Sequence, residues 1–186
     1  MTLLVFGGTF DPPHFGHLLF AECARQQFEA SHVSFVVAGD PWRKHGLAVT
    51  PAPLRLEMVR LAVRGNPAFV VDAREVLRAG PSYTVDTLSE LRAAGHADIV
   101  LLLGSDALAD LPNWKEPERI RELARLAIAP KPGAPPPPEG VDAVAMPPLA
   151  ISSTLVRGRV RDGLPVRYLL PDSVASFIAA RGLYRG

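Results

Sequence analysis

Eleven residues of this 186-residue chain, Gly7 to His17 (GGTFDPPHFGH), concentrate the residue types that can hold a polyphosphate. Two glycines after the apolar run Leu3 to Phe6 let backbone N–H groups approach an anion, and a helix starting near Phe15 adds the positive end of its dipole. His14 and His17 are three apart, so they share one face of that first turn and can address one phosphate. Gly16 between them keeps a side chain out of the path of a polyphosphate. A plainer reading makes this a strand-to-helix turn with Asp11 as a cap, Pro12 and Pro13 at the helix entry and two exposed histidines. It explains each residue singly, but not their convergence in so short a segment. Neither G-x-x-x-x-G-K-[ST] nor G-x-G-x-x-G occurs, so this is not a P-loop or a dinucleotide fingerprint.

A second segment carries matching chemistry. Ile151 to Arg157 (ISSTLVR) reads as an apolar entry, a run of hydroxyl N-caps and then a helix. Its ordinary reading is caps plus a solvated arginine. The functional one places a second helix N-terminus across from the first, with Ser152 and Ser153 donating to phosphate oxygens. Arg157, one turn further in, offers a planar fork suited to phosphate.

The first turn, G-T-F-D-P-x-H-x-G-H, resembles the signature of the adenylyl- and cytidylyltransferase superfamily, itself similar to the H-I-G-H turn of class I aminoacyl-tRNA synthetases. A synthetase is not expected, because 186 residues leave no room for tRNA-binding domains. The second segment resembles the superfamily's I-S-S-T-x-x-R element, which implies that it holds the β- and γ-phosphates of a nucleoside triphosphate. Three further segments resemble bacterial nicotinate-nucleotide adenylyltransferases: Pro81-Ser82-Tyr83-Thr84, Gly104-Ser105-Asp106 and Leu111-Pro112-Asn113-Trp114, together with Tyr168 to Pro171 and Gly182 to Tyr184. The similarity spans nearly the whole chain.

That resemblance implies adenylyl transfer from ATP to nicotinate mononucleotide, with Mg²⁺ on the triphosphate. His14, His17, Lys44 and Arg157 are then the expected catalytic residues. Gly8, Thr9, Phe10, His17, Gly104, Asp106, Ser152, Ser153 and Arg157 are expected to bind ATP. Gly8, Thr9, Lys44, Tyr83, Thr84 and Trp114 are expected to bind the mononucleotide. No resident metal site is expected. N–H groups at the helix start around Tyr83 and Thr84 suit a carboxylate, whereas an amide would set its own donors against them, so nicotinate should be preferred to nicotinamide. Trp114 could stack on the pyridine ring. The family's P-P-H-K loop is replaced by Pro41-Trp42-Arg43-Lys44: the cation survives at Lys44, no role transfers to Arg43, and Trp42 is set over the nicotinate side. A pantetheine-phosphate adenylyltransferase or cytidylyltransferase would lack the P-S-Y-T and Trp114 pattern. Intact His14, His17 and Arg157 argue against a catalytically silent regulator.

These residues need a frame that gathers them. Apolar runs at Leu3–Phe6, Val33–Ala38, Phe69–Asp72, Ile99–Leu103 and Leu126–Ala129, and a weaker one at Val141–Met146, alternate with helical spacing. Helices are expected at Phe15–Phe28, Pro53–Arg64, Thr84–Ala94, Glu116–Leu123, Ser153–Arg161 and Asp172–Arg181. Four or five of the runs read as buried strands, being apolar throughout. The series predicts an α/β fold: a Rossmann-like parallel sheet covered by helices on both faces, as one nucleotidyltransferase domain with a helical part over about 152–186. Ligands of such sheets sit beyond the carboxyl ends of the strands, just where the glycine turns fall.

Composition bounds the rest. Twenty Lys+Arg against 19 Asp+Glu give net charge +1, which argues against a broad nucleic-acid or anionic-membrane surface. With 48% apolar residues the chain can bury roughly 70% of its unfolded surface in one core. One cysteine, Cys23, no basic leader and no long apolar run point to a reducing cytoplasm. A homo-oligomer is compatible with the sequence. Among 19 prolines only Pro135 to Pro138 reads as a stiff loop, and His32, His45 and His96 fall outside every motif as surface residues.

Overall fold

The computed structural model describes residues 1–41, 48–130 and 136–185. Six parallel strands form one sheet: β1 (Leu3–Gly8), β2 (Val33–Val37), β3 (Phe69–Asp72), β4 (Ile99–Gly104), β5 (Arg125–Ala129) and β6 (Val141–Ala143). Their spatial order is β3-β2-β1-β4-β5-β6. From β1 the chain steps outward to β2 and β3, then returns to the other side of β1 for β4. The strand order therefore reverses between β1 and β4, and a crevice opens beyond their carboxyl ends.

The helices follow from which strand face each must cover. On β1, Leu4 and Phe6 face one side and Leu3 and Val5 the other, as the two-residue period requires. The first side is covered by α1 (Phe15–Gln27) through Phe20, Ala21 and Ala24, and by α2 (Ala52–Val63) through Leu56, Val59 and Val63. The second is covered by α4 (Thr84–Ala93) through Val85, Leu88 and Leu91, and by α6 (Pro117–Leu123) through Ile120 and Leu123. Helix α2 is buried on its outer side too: Met58 and Ala62 meet Val156 of α7 (Ser153–Arg161) and Val174 and Ile178 of α8 (Asp172–Arg181). The C-terminal helices thus form a further layer on α2.

All six expected strands and six expected helices are present. The last strand is three residues at the sheet edge, with only Val141 buried, which is why its apolar signal was weak. Three short pieces were not expected: α3 (Arg74–Leu77), α5 (Ser105–Asp110) and a 3₁₀ turn at Leu111–Asn113. Each is too brief to show a helical period. The residues 136–138 have no regular structure, and Pro135 lies outside the described residues. His32 and His96 are half-exposed, close to expectation, and His45 lies outside the described residues. No helix among the described residues is long and apolar enough to cross a membrane.

Helix α3 sits hard against the turn after β2. A Cβ on Gly39 would lie 2.0 Å from the carbonyl oxygen of Glu75, a contact that backbone on both sides prevents from relaxing. Gly39→Ala is expected to cost about 2 kcal/mol or more, by the overpacking mechanism. An unchanged urea midpoint for that variant would contradict the tight approach.

Candidate active site

Gly7 and Gly104 stand at the carboxyl ends of the adjacent strands β1 and β4, and a Cβ built on either meets no atom within 4 Å. Among the described residues no neighbouring atom requires these glycines, so the backbone here is open to close approach. A cavity of about 340 Å³ occupies this crevice, walled by Gly8 and Thr9 on one side and by Tyr83, Thr84, Asp106 and Trp114 on the other. Six residues expected from four separate segments therefore meet in one place.

The histidine pair stands at the start of α1. The two rings stack at 3.7 Å between centroids and 25° between planes. His17 Nδ1 accepts the backbone N–H of His14 at 3.2 Å, which leaves the imidazole proton on Nε2 as a donor. The ring also rests against Phe10 at 5.1 Å and Phe6 at 5.8 Å. Phe10, expected among the ATP contacts, has its ring buried at positive φ in this aromatic cluster, so its side chain supports His17 from the core.

His14 departs further from expectation. It is buried, its Nδ1 has no partner among the described residues, and burial lowers its pKa to about 4. At that pKa the ring is neutral near pH 7, so what it offers a phosphate is a hydrogen bond. Gly16 has a further task. Its missing Cβ would lie 3.0 Å from His14 Nδ1 and Cε1, so the glycine makes room for the imidazole.

Helix α7 does come alongside this turn. Ser152 is its N-cap, accepting the N–H of Leu155 at 3.1 Å. Ser153 Oγ donates to the Pro12 carbonyl at 2.8 Å, so its hydroxyl proton is engaged with the first turn instead of a phosphate. Arg157 Nη1 donates to the Asp11 carbonyl at 2.7 Å and Nη2 to Thr154 Oγ1 at 3.3 Å, which holds the guanidinium at the turn with further N–H groups to spare. Two helix N-termini more than 130 residues apart in sequence are thereby tied side by side.

Beneath them lies a polar knot. Asp11, which the plainer reading took as a cap, is buried and accepts Tyr184 Oη at 2.6 Å and the Thr50 N–H at 3.1 Å. Arg55 is 1% exposed and donates to the carbonyls of Thr50 at 2.7 Å, Thr9 at 2.8 Å and Gly39 at 3.1 Å. Burial lowers its pKa while the charge of Asp11 opposes that shift. Burial, with the bond to Asp11, pushes the Tyr184 hydroxyl far above its ordinary value.

On the far wall, α4 begins at Thr84 with Tyr83 as an N-cap in extended backbone and no side chain capping it. Its start is laced to the turn after β2: Ser82 Oγ accepts the N–H groups of Gly39 at 2.9 Å and Asp40 at 3.2 Å. Buried Glu75 accepts Thr87 Oγ1 at 2.6 Å, and burial pushes its carboxyl pKa up. Trp114 Nε1 donates to Asp110 Oδ2 at 3.0 Å, fixing the indole in the cavity wall. Lys44, Trp42 and Arg43 lie outside the described residues.

A family model described as cytidylyltransferase-like matches residues 5–159, which include both β1 with its turn and the start of α7. The chain belongs to the cytidylyltransferase-like family. Among curated relatives, a probable nicotinate-nucleotide adenylyltransferase of Roseiflexus sp. (strain RS-1) is 44% identical, covering 97% of this chain and 96% of the relative. One of the same name from Streptomyces coelicolor is 45% identical over 97% and 99%. In fold, the chain is similar to Plasmodium falciparum nicotinic acid mononucleotide adenylyltransferase complexed with NaAD, at TM-score 0.81 and 16% identity over 98% and 97% of the two chains.

This cytidylyltransferase-like chain carries functional residues that sequence reasoning passed over. Arg55 lies between Leu54 and Leu56 with no local signal that it is buried, and nothing local marks Tyr184 as a partner of Asp11. Tyr184→Phe, which keeps the ring and removes the hydroxyl, should destabilise by about 1.5–3 kcal/mol, the range for a hydrogen bond to a charged group. Wild-type thermal stability in that variant would remove Asp11–Tyr184 from the knot. His14 supplies a pH signature. Its proton affinity is higher unfolded (pKa 6.5) than folded (about 4), so its contribution is full above pH 6.5 and is lost as pH falls towards 4. At pH 4.5 the loss should be about 2–3 kcal/mol, and His14→Gln should flatten that part of the stability–pH curve.

Proposed function

We propose that this chain transfers the adenylyl group of ATP to nicotinate mononucleotide, releasing pyrophosphate and forming nicotinate adenine dinucleotide for NAD biosynthesis. One observation carries the reading: the cavity bounded by Trp114 and the uncapped start of α4 runs directly to the Gly8–Thr9 edge of the histidine turn. A flat ring with an anionic substituent fits the first part, and phosphates fit the second. The relatives named probable nicotinate-nucleotide adenylyltransferase, similar over nearly their whole length, support the same reading.

In the reaction an oxygen of the mononucleotide 5′-phosphate attacks the α-phosphorus of ATP in line, and the bond from that phosphorus to the bridging β-oxygen breaks. The attacking oxygen is already ionised, so no general base is needed. Positioning and charge do the work. His17 presents Nε2–H, held by the His14 N–H behind it and the phenylalanines beside it. Arg157 and the N-termini of α1 and α7 face the triphosphate side, Ser152 contributes from the cap of α7, and Lys44 adds a cation from the segment after Pro41. Gly104 and Asp106 serve the adenosine side.

Mg²⁺ enters with ATP in this scheme. A hard cation of this kind is carried on phosphate oxygens and water. A cytoplasmic site of action goes with the reading.

The test is pyrophosphate release from ATP·Mg²⁺ with nicotinate mononucleotide or its amide. Faster turnover of the nicotinate form is expected, and equal rates would refute the carboxylate argument. His17→Ala should lower turnover on the order of 10²-fold with little change in ATP affinity. Near-normal turnover would sink its assignment to the transition state.

A further inference from the structure

We infer that Lys115 determines which mononucleotide the cavity accepts, by supplying the side-chain cation for an anionic ring substituent. The inference rests on the reading of the cavity as a nicotinate site and adds a residue to it.

Three described residues in the cavity wall carry ionisable acidic or basic side chains: Glu75, Asp106 and Lys115. Two of the three are carboxyls, which would repel a carboxylate on the ring. Glu75 is buried, which favours its neutral form, although the hydroxyl it accepts from Thr87 works the other way. The start of α4 attracts an anion only through its dipole, and Asp86 in its first turn opposes that attraction. Lys115 answers both. Its Nζ lies 3.0 and 3.3 Å from the Asp86 carboxylate oxygens and 4.6 Å from the centroid of the Tyr83 ring.

The placement is held from two directions. Lys115 follows Trp114, whose indole is fixed by Asp110, so the backbone carrying the lysine is set by the same anchor as the stacking ring. The face of Tyr83 attracts the ammonium, which stays partly exposed to solvent at the edge of the cavity. A carboxylate at the N–H groups of Thr84 would lie on the same side as this ammonium and share it with Asp86. An amide in the same place gains nothing from the cation. Lys115 thus turns a weak dipolar preference into a charge preference.

Lys115→Met and Asp86→Asn separate this from a merely structural ion pair, because both break the pair but change the local charge in opposite senses. The measurement is kcat/KM for nicotinate mononucleotide and for nicotinamide mononucleotide with each variant and the wild type. Lys115→Met should lose about five- to tenfold on the nicotinate form alone, the scale of a partly exposed charged contact, with the KM for ATP unchanged. Asp86→Asn should keep or raise the nicotinate preference, and Lys115→Arg should retain most of it. The wild-type preference should also shrink with added salt.

Equal losses on both substrates, or both variants moving the ratio the same way, would overturn the assignment of Lys115 while leaving the cavity reading intact. Wild-type protein that turns over neither mononucleotide, or both equally, would overturn the cavity reading and this inference with it.

Discussion

A carboxylate removed from water must find partners or become neutral, and the position of Asp11 makes that requirement shape the whole site. Its partners come from three parts of the chain: the Tyr184 hydroxyl, the Thr50 N–H and the nearby charge of Arg55. Leaving such a group unpaired costs several kcal/mol. Arg55 in turn places its three nitrogens on carbonyls of the turns after β1 and β2 and of Thr50, two residues ahead of α2. The catalytic turn cannot form alone. It is completed by the layer of C-terminal helices packed on α2, which also bring Arg157 and Ser153 against the carbonyls of Asp11 and Pro12.

That arrangement divides labour between the two histidines. The first turn is close-packed over Phe6, Phe10 and Phe35, and a ring buried there gives up its charge. His14 becomes a structural element: its N–H fixes the tautomer of His17 and its ring fills the space left by Gly16. His17 inherits a defined donor. Arg157 is held on the Asp11 carbonyl beside this turn, and the starts of α1 and α7 add partial positive charges that need no proton.

The other end of the crevice works with little charge. The turn after β2, α3 and the start of α4 are joined through Gly39, Ser82, Glu75 and Thr87, a small polar layer satisfied within itself. Satisfied groups do not compete for the ligand. The cavity wall also carries an uncapped helix start, a fixed indole and Lys115, a set suited to a flat ring with one anionic group, with Asp106 beside them. A chain of net charge +1 can hold a polyphosphate enzyme because its cations are few and placed, not because they are many.

The sequence by itself was enough to set out the elements. Strands of continuous Val, Leu and Ile, helices with 3.6-residue spacing and glycines at the strand ends are local signals, and each reports on physics within a few neighbouring residues. The same holds for the chemistry of GGTFDPPHFGH and ISSTLVR, whose residue types suit phosphate wherever they are placed. The tertiary structure decided what no local signal contains: that Arg55 lies inside and not in solvent, that Asp11 pairs with Tyr184 across 173 positions, and that burial makes His14 neutral. It also set the His14 imidazole against Gly16 and placed Lys115 beside the cavity. Secondary structure follows from short-range sterics and periodicity, whereas ionisation and hydrogen-bond partnership depend on which distant segments exclude water from a group. That is settled only when the sheet closes and the C-terminal helices dock.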